Sequence, residues 1–461
     1  MNETICAIST APGTGGIAVV RVSGADALAI CDRVFRPHEE GKRLASQKGY
    51  TLTYGTVVDD SGEMVDEVVA AVFRAPRSFT GEDTVEFTCH GSIYIQQTIL
   101  RLLIAQGCRM AGPGEFTQRS FLNGKMDLSQ AEAVADLIAS TSAGQHRLAM
   151  NQMRGGFSQE LKALREQLLH LTSLMELELD FADHEELEFA DRKELEEIAS
   201  RIERTISRLA QSFKAGNAIK NGIPVAIIGE TNAGKSTLLN ALLNEEKAIV
   251  SDIHGTTRDV IEDTVNIQGV LFRFIDTAGI RETCDTIEAL GIERSFRAIE
   301  RADIVLWLVD QTEADKQIAA LSGKVLPLCE GKQLILVLNK SDLNASKPSI
   351  VNRQLSINKV LSISAKHKEG IDQLQSLLVE AAHLPALSSS DVIVTNLRHY
   401  EALSRALEAI RRMQEGLSSG LSGDFISQDL RECIFHLSDI VGEVTTDMVL
   451  QSIFTHFCIG K

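Results

Sequence analysis

Aromatic residues make up only 5% of this 461-residue chain, tryptophan occurs once, and charges interrupt every apolar stretch before it reaches the length of a bilayer crossing. A membrane-spanning protein is thereby disfavoured. Eight cysteines (Cys6, Cys31, Cys89, Cys108, Cys284, Cys329, Cys433, Cys458) are scattered without a CxxC pair or zinc-ligand spacing, which speaks against a disulfide or zinc framework. No charged-then-apolar leader opens the sequence, so the expectation is a soluble, cytoplasmic protein without a membrane span. Basic residues are also in deficit, 46 against 63 acidic, for a formal net charge of -17. That balance excludes coating of nucleic acid through bulk electrostatics and leaves only a local or partner-shared RNA contact.

What is present exceeds one hydrophobic core, and the length predicts two to four domains. Short β-type runs (16–22, 50–58, 67–73) divided by turn residues point to an α+β region over about the first 120 residues. From Leu128 the period becomes 3.6. Phe157, Leu161, Leu164, Leu168, Leu171 and Met175 share one helical face, as do Leu195, Ile198, Ile202, Ile206, Leu209 and Phe213. An acidic stretch, Asp180 to Asp191, separates the two helices, and Ala215-Gly216-Asn217 reads as the end of the second. Past Pro224, strands and helices alternate up to about Pro385, as in a parallel α/β sheet. Helical periodicity returns at Leu397–Met413 and Leu430–Val441, so the α/β unit is expected to be an insertion in a helical domain.

The apolar run Val225 to Ile228 leads into Gly229-Glu230-Thr231-Asn232-Ala233-Gly234-Lys235-Ser236, followed by the helix-forming Thr237 to Leu243. This is a P-loop in its required setting: backbone N–H groups close around phosphates at a helix N-terminus, Lys235 supplies a charge to the β and γ oxygens, and the Ser236 hydroxyl is a magnesium ligand. After the strand 271–275 comes Asp276-Thr277-Ala278-Gly279, a switch II in which Asp276 holds magnesium through water and the Gly279 N–H senses the γ-phosphate. Between the two, Gly255-Thr256-Thr257-Arg258-Asp259 is a candidate switch I, with Thr257 completing the magnesium shell.

Base identity is read farther on. The strand 334–338 ends in Asn339-Lys340-Ser341-Asp342, whose carboxylate accepts from guanine N1–H and its 2-amino group, and adenine offers neither donor there. Ser364-Ala365-Lys366 supplies a backbone N–H for guanine O6. Ile280 follows the switch II glycine where many small GTPases place a water-orienting glutamine, so another group has to position the attacking water. For Asn232, read from the residues alone, two roles stay open: a loop-stabilising hydrogen bond, or a ligand to a monovalent cation shared with carbonyls of the loop 251–256.

With these motifs, and with Pro12-Gly13-Thr14-Gly15-Gly16, Ser78-Phe79-Thr80-Gly81-Glu82-Asp83, Pro113-Gly114-Glu115-Phe116-Thr117, the run Phe121 to Glu132 and the terminal Cys458-Ile459-Gly460-Lys461, the chain resembles the MnmE/TrmE family of tRNA-modifying GTPases over essentially its whole length. The resemblance implies an N-terminal α+β folate-binding and dimerisation domain (1–124), an α-helical domain in two parts (125–220 and 386–461), and an inserted Ras-like α/β P-loop GTPase domain (221–385). It implies a tetrahydrofolate (5-formyl or methylene) at Arg21, Glu86, Lys125 and Lys461, which would otherwise read as surface charges. It implies K+ at Asn232, Ser251, Ile253 and Thr256, and Mg2+ at Ser236 and Thr257. GTP contacts extend over Asn232 to Thr237 and over Ser251, Asp252, Ile253, His254, Gly255, Thr256 and Thr257. Glu288 is implied to position water, with Lys235 and Cys458 also catalytic, the role of Cys458 being left open.

The function implied is GTP hydrolysis coupled to modification of C5 of the tRNA wobble uridine. It would be carried out by a homodimer with an FAD-containing partner of the MnmG/GidA family, as a heterotetramer, with NADH serving the partner. Two rivals share the GTPase motifs: a GTP-gated RNA or ribosome assembly factor, and a signalling switch run by external activators.

Overall fold

The computed structural model describes residues 3–180, 192–244, 263–275, 296–343, 359–383, 392–419, 421–444, 446–455 and 457–460. It divides into two compact units: Met1–Ala139, Ala149–Ile206 and Ala402–Lys461 form one, Ser140–Leu148 and Ser207–Glu401 the other. The second interrupts the sequence of the first at two places. In chain order the named helices are α1 (Ala27–Val34), α2 (Ile93–Ala105), α3 (Glu115–Leu122), α4 (Leu128–Ala139), α5 (Ala143–Met153), α6 (Gly156–Asp180), α7 (Arg192–Asn221), α8 (Lys235–Asn244), α9 (Ala314–Leu328), α10 (Ile371–Ala381), α11 (Leu397–Ser419), α12 (Gly423–Val441) and α13 (Asp447–Thr455). None of the described helices is long and apolar enough to cross a membrane.

Unit 1 contains a seven-stranded sheet built from β1 (Ile5–Ile8), β2 (Ile17–Ser23), β3 (Phe35–Pro37), β4 (Thr51–Val58), β5 (Met64–Phe73), β6 (Thr84–His90) and β7 (Arg109–Met110), in the order β3-β4-β5-β6-β2-β1-β7. Period-two alternation decides its faces. Val20, Val22, Val68, Val72, Val85 and Phe87 turn into a core with residues of α1 and α2 such as Ile30, Ile99 and Leu103. The intervening residues turn the other way, and Leu52, Ala71, Glu86 and Arg21 stand side by side across β4, β5, β6 and β2. On the helical side of this unit α6 packs along α12, burying the stripe from Phe157 to Met175 predicted by the 3.6 period. Beyond α13, residues 457–460 return to the sheet region: Ile459 bridges Pro113, and Ser9 Oγ donates to the Gly460 carbonyl at 3.1 Å.

Unit 2 holds a six-stranded sheet of β8 (Ile223–Ile228), β9 (Asp263–Ile267), β10 (Val270–Phe274), β11 (Ile304–Asp310), β12 (Gln333–Asn339) and β13 (Lys359–Ser362). The order is β13-β12-β11-β8-β10-β9, parallel throughout except for antiparallel β9 at the edge. β11 is apolar and buried from Ile304 to Val309, the pattern of a strand covered on both faces. One face meets α8 and α10 through Leu238, Leu242, Leu374 and Leu378; the other meets α9 and the helical stretch 296–301 through Ile318, Val325 and Ile299, around Trp307.

One boundary differs from expectation. α7 does not stop at Ala215-Gly216-Asn217 but continues to Asn221, and the left-handed residue that follows is Gly222, φ 81°. Gly216 serves packing instead. A Cβ on it would lie 2.1 Å from the Val394 carbonyl oxygen, because the 392–396 segment is laid against the helix and Val394 N donates to Ser212 Oγ at 3.0 Å. The acidic stretch 181–191 lies outside the described residues.

Candidate functional site

The P-loop connects β8 to α8 in the centre of the unit 2 sheet, at the carboxyl ends of the parallel strands where open α/β sheets bind ligands. Its backbone needs residues that tolerate positive φ: Gly229 (150°), Asn232 (66°) and Gly234 (99°). Space demands two of the glycines as well. A Cβ on Gly229 would stand 2.1 Å from Leu308 O, and one on Gly234 would stand 2.3 Å from Asn339 Nδ2. Lys235 Nζ donates to the carbonyls of Gly229 (2.8 Å) and Glu230 (2.9 Å), which curls the ammonium over the loop. Burial lowers its affinity for a proton, against the opposing pull of Glu230. Ser236 and Thr237 open α8, with Ala233 buried beneath the loop and Asn232 exposed.

Asn339, the last residue of β12, is 3% exposed and joins the loops on either side: Nδ2 donates to Ala233 O at 2.8 Å and Oδ1 accepts from Ala365 N at 3.0 Å. Next to it Lys340 adopts φ 64° and sends Nζ to Asp310 Oδ2 at 2.6 Å. Burial of Asp310 favours its protonated form, but hydrogen bonds from Lys340 and Thr312 outweigh it and hold the carboxyl below the usual range. Asp342 Oδ1 accepts from Ser364 Oγ at 2.6 Å, and this bond, aided by the charges of His367 and Lys366, holds its carboxyl low. The structure thus gathers Asn232, Ala233, Gly234, Lys235, Ser236, Asn339, Lys340, Asp342, Ser364, Ala365 and Lys366 around connected loops. Ser251, Asp252, Ile253, His254, Gly255, Thr256 and Thr257, the residues Asp276, Thr277, Ala278, Gly279 and Ile280, and Glu288 lie outside the described residues.

In unit 1, Arg21 Nε donates to Glu86 Oε1 at 2.7 Å, and the guanidinium lies 5.5 Å from the ring centres of both Phe79 and Phe116. Lys125 Nζ donates to the Pro76 carbonyl at 2.9 Å. Cys458 is exposed, its carbonyl accepting from Gly114 N at 3.3 Å, while Lys461 lies outside the described residues. Behind this cluster is an ionic network that sequence reading missed. Arg119, 2% exposed, donates to both carboxylate oxygens of Glu82 (3.1 and 3.0 Å) and to Glu115 (3.0 Å), which also receives Arg109. Glu82 in turn accepts from Ser23 Oγ at 2.8 Å, two residues along β2 from Arg21. Only the Glu115–Arg119 spacing of one helical turn was visible in the sequence as a signal.

Residues 4–125 match the family of the GTP-binding protein TrmE N-terminus, and residues 128–458 match the MnmE helical domain. The tRNA modification GTPase MnmE of Parabacteroides distasonis is 70% identical over 461 residues, all of both chains. Its counterpart in Bacteroides fragilis is 64% identical over 466 residues, again covering 100% of each, and that of Porphyromonas gingivalis 52% over 469 residues, covering 100% of this chain and 98% of the other. Among solved structures, the FeoB G-domain of Methanococcus jannaschii aligns with 34% of this chain and 96% of its own at 27% identity, with a TM-score of 0.24. On the full-length identities and on both matched segments, the chain belongs to the MnmE family of tRNA modification GTPases.

Proposed function

We propose that this protein hydrolyses GTP, with potassium assisting, to drive modification at C5 of the wobble uridine of tRNA in the cytoplasm, together with an FAD-containing partner of the MnmG/GidA family. The observation that carries the nucleotide part is the double hydrogen bond of Asn339, which holds the phosphate loop and the guanine-reading loop in one frame. Lys235, already curled over the loop by two carbonyls, exchanges those partners for phosphate oxygens, and Asp342 keeps an ionised carboxylate for the base. Ser236, at the first turn of α8 with a hydroxyl donor atom, fits Mg2+ together with Thr257. Asn232, exposed and left-handed, fits K+ in company with Ser251, Ile253 and Thr256. Glu288 is assigned to orienting water.

The cluster on the open face of the unit 1 sheet suits a tetrahydrofolate. Glu86 offers acceptors to a pterin edge, while Arg21 and Lys125, with Lys461, offer cations to carboxylates. When bound, the folate supplies a one-carbon unit; the residues of this chain hold and orient it. On the same face Leu52 (69% exposed) and Tyr54 (52%) leave an apolar strip beside the cluster, which favours a homodimer that encloses it. Cys458 is kept as a catalytic candidate because its backbone is anchored at Gly114 while its side chain stays exposed.

The deciding experiment is steady-state GTP hydrolysis in potassium against sodium at matched ionic strength, with Asn232→Ala alongside. Strong stimulation by potassium that disappears in the variant is expected. Equal rates in the two salts would remove potassium from the proposal.

A further inference from the structure

Past Ser364, Ala365 and Lys366 the same loop continues to His367, which reaches the base-reading carboxylate from two sides. Its backbone N–H donates to Ser364 Oγ at 3.4 Å, and that hydroxyl donates to Asp342 Oδ1 at 2.6 Å. The ring Nε2 stands 3.7 Å from Asp342 Oδ2. Ser364 therefore occupies one oxygen while the imidazole faces the other. At 3.7 Å the second contact is one of charge rather than a hydrogen bond.

A carboxylate that receives both N1–H and the 2-amino group of guanine offers acceptor capacity at both oxygens. A neutral imidazole brings no charge to Oδ2, which stays available to the base. An imidazolium competes for Oδ2 as a donor and sets a positive charge beside the positive edge of the purine. On the two segments that meet here, Lys340 is turned to Asp310, and Lys366, Lys368 and Glu369 flank the histidine in sequence. Imidazole is the side-chain class whose charge changes near neutral pH.

We propose that His367 is a positioning residue for base recognition, one that loosens the hold of Asp342 on the guanine 2-amino group when its ring is protonated. The proposal rests on the guanine reading given above. It assigns to this chain a dependence of base selectivity on pH that the nucleotide motifs do not themselves contain.

The test compares the affinities of the full chain for GDP and for IDP, which lacks the 2-amino group, between pH 5.5 and 8 by calorimetry. Taking their ratio cancels the titration of the diphosphate common to both ligands. For the wild type the preference for GDP is expected to fall roughly two- to five-fold from pH 8 to pH 5.5, the range of an exposed charge contact. His367→Ala, a truncation of a half-exposed side chain, should keep the pH 8 preference throughout. His367→Lys, a fixed cation, should show the weaker preference throughout. A wild-type ratio that is flat with pH, or a pH dependence that survives in His367→Ala, would overturn the proposal. A wild type that shows no preference for GDP over IDP at pH 8 would overturn the guanine reading itself, and this inference with it.

Discussion

The amide of Asn339 spans two loops remote in sequence, giving a hydrogen to Ala233 O at 2.8 Å and taking one from Ala365 N at 3.0 Å. Replacing it by leucine leaves a buried carbonyl and a buried N–H unpaired, at a cost of about 1–3 kcal/mol for each orphaned group. Asn339→Leu should therefore lower the denaturation midpoint of unit 2 and weaken GDP binding by more than tenfold, read by chemical denaturation and by calorimetry. Unchanged GDP affinity would show that the two loops hold their positions without the bridge.

Gly216 gives a second, purely steric prediction. Alanine is the better helix former by roughly 1 kcal/mol, so at an unobstructed helical site Gly→Ala stabilises. Here the added methyl meets the Val394 carbonyl oxygen at 2.1 Å, and Gly216→Ala is expected to destabilise by about 1–3 kcal/mol, the usual cost of overpacking. Thermal denaturation of the variant decides between the two signs.

The buried network of unit 1 makes an acid-lability prediction. Burial of Glu115 favours its protonated form, but Arg109, the Gly112 N–H and Arg119 outweigh that and hold its carboxyl below the usual glutamate range. A carboxyl lowered in the folded state contributes stability that is present above the unfolded pKa and is lost as pH falls toward the folded one. Between pH 5 and pH 3 the melting temperature of the wild type should fall more steeply than that of Glu115→Gln. Parallel slopes would remove Glu115 as a source of acid sensitivity.

Arg21 is held by Glu86 and by two aromatic rings on the open face of the unit 1 sheet. Arg21→Gln is expected to weaken binding of 5-formyltetrahydrofolate by at least about tenfold, since hydrogen bonds to charged groups contribute roughly 1.5–3 kcal/mol. GTP hydrolysis should stay near the wild-type rate. Undiminished binding would remove Arg21 from the proposed folate site.

The phosphate loop was legible because local rules suffice there: an apolar strand, two glycines and an asparagine at the positive-φ positions, and a helix start follow one another directly in sequence. The end of α7 was not. Gly216 and Asn217 are helix-ending residue types, and only the arrival of Val394 explains why a glycine stands in mid-helix. Likewise the Lys340–Asp310 pair exists because β11 and β12 are parallel neighbours in register at Asp310 and Asn339, a fact of topology that spacing does not encode. Arg119, on α3, and Glu82, just ahead of β6, meet across 37 positions, which spacing does not encode either.

The pairing of α6 with α12 also sets a timetable for synthesis. α6 is complete at Asp180, yet the helix that covers its apolar stripe begins at Gly423. At about 5–20 residues per second a ribosome needs roughly 12–50 s to cross that interval. All six strands of the unit 2 sheet emerge within the same period, so the inserted unit has its whole sheet available while the stripe from Phe157 to Met175 still waits for α12. Until then the packing between α6 and α12 cannot form, so this part of unit 1 is completed only after the strands of the inserted unit have been made.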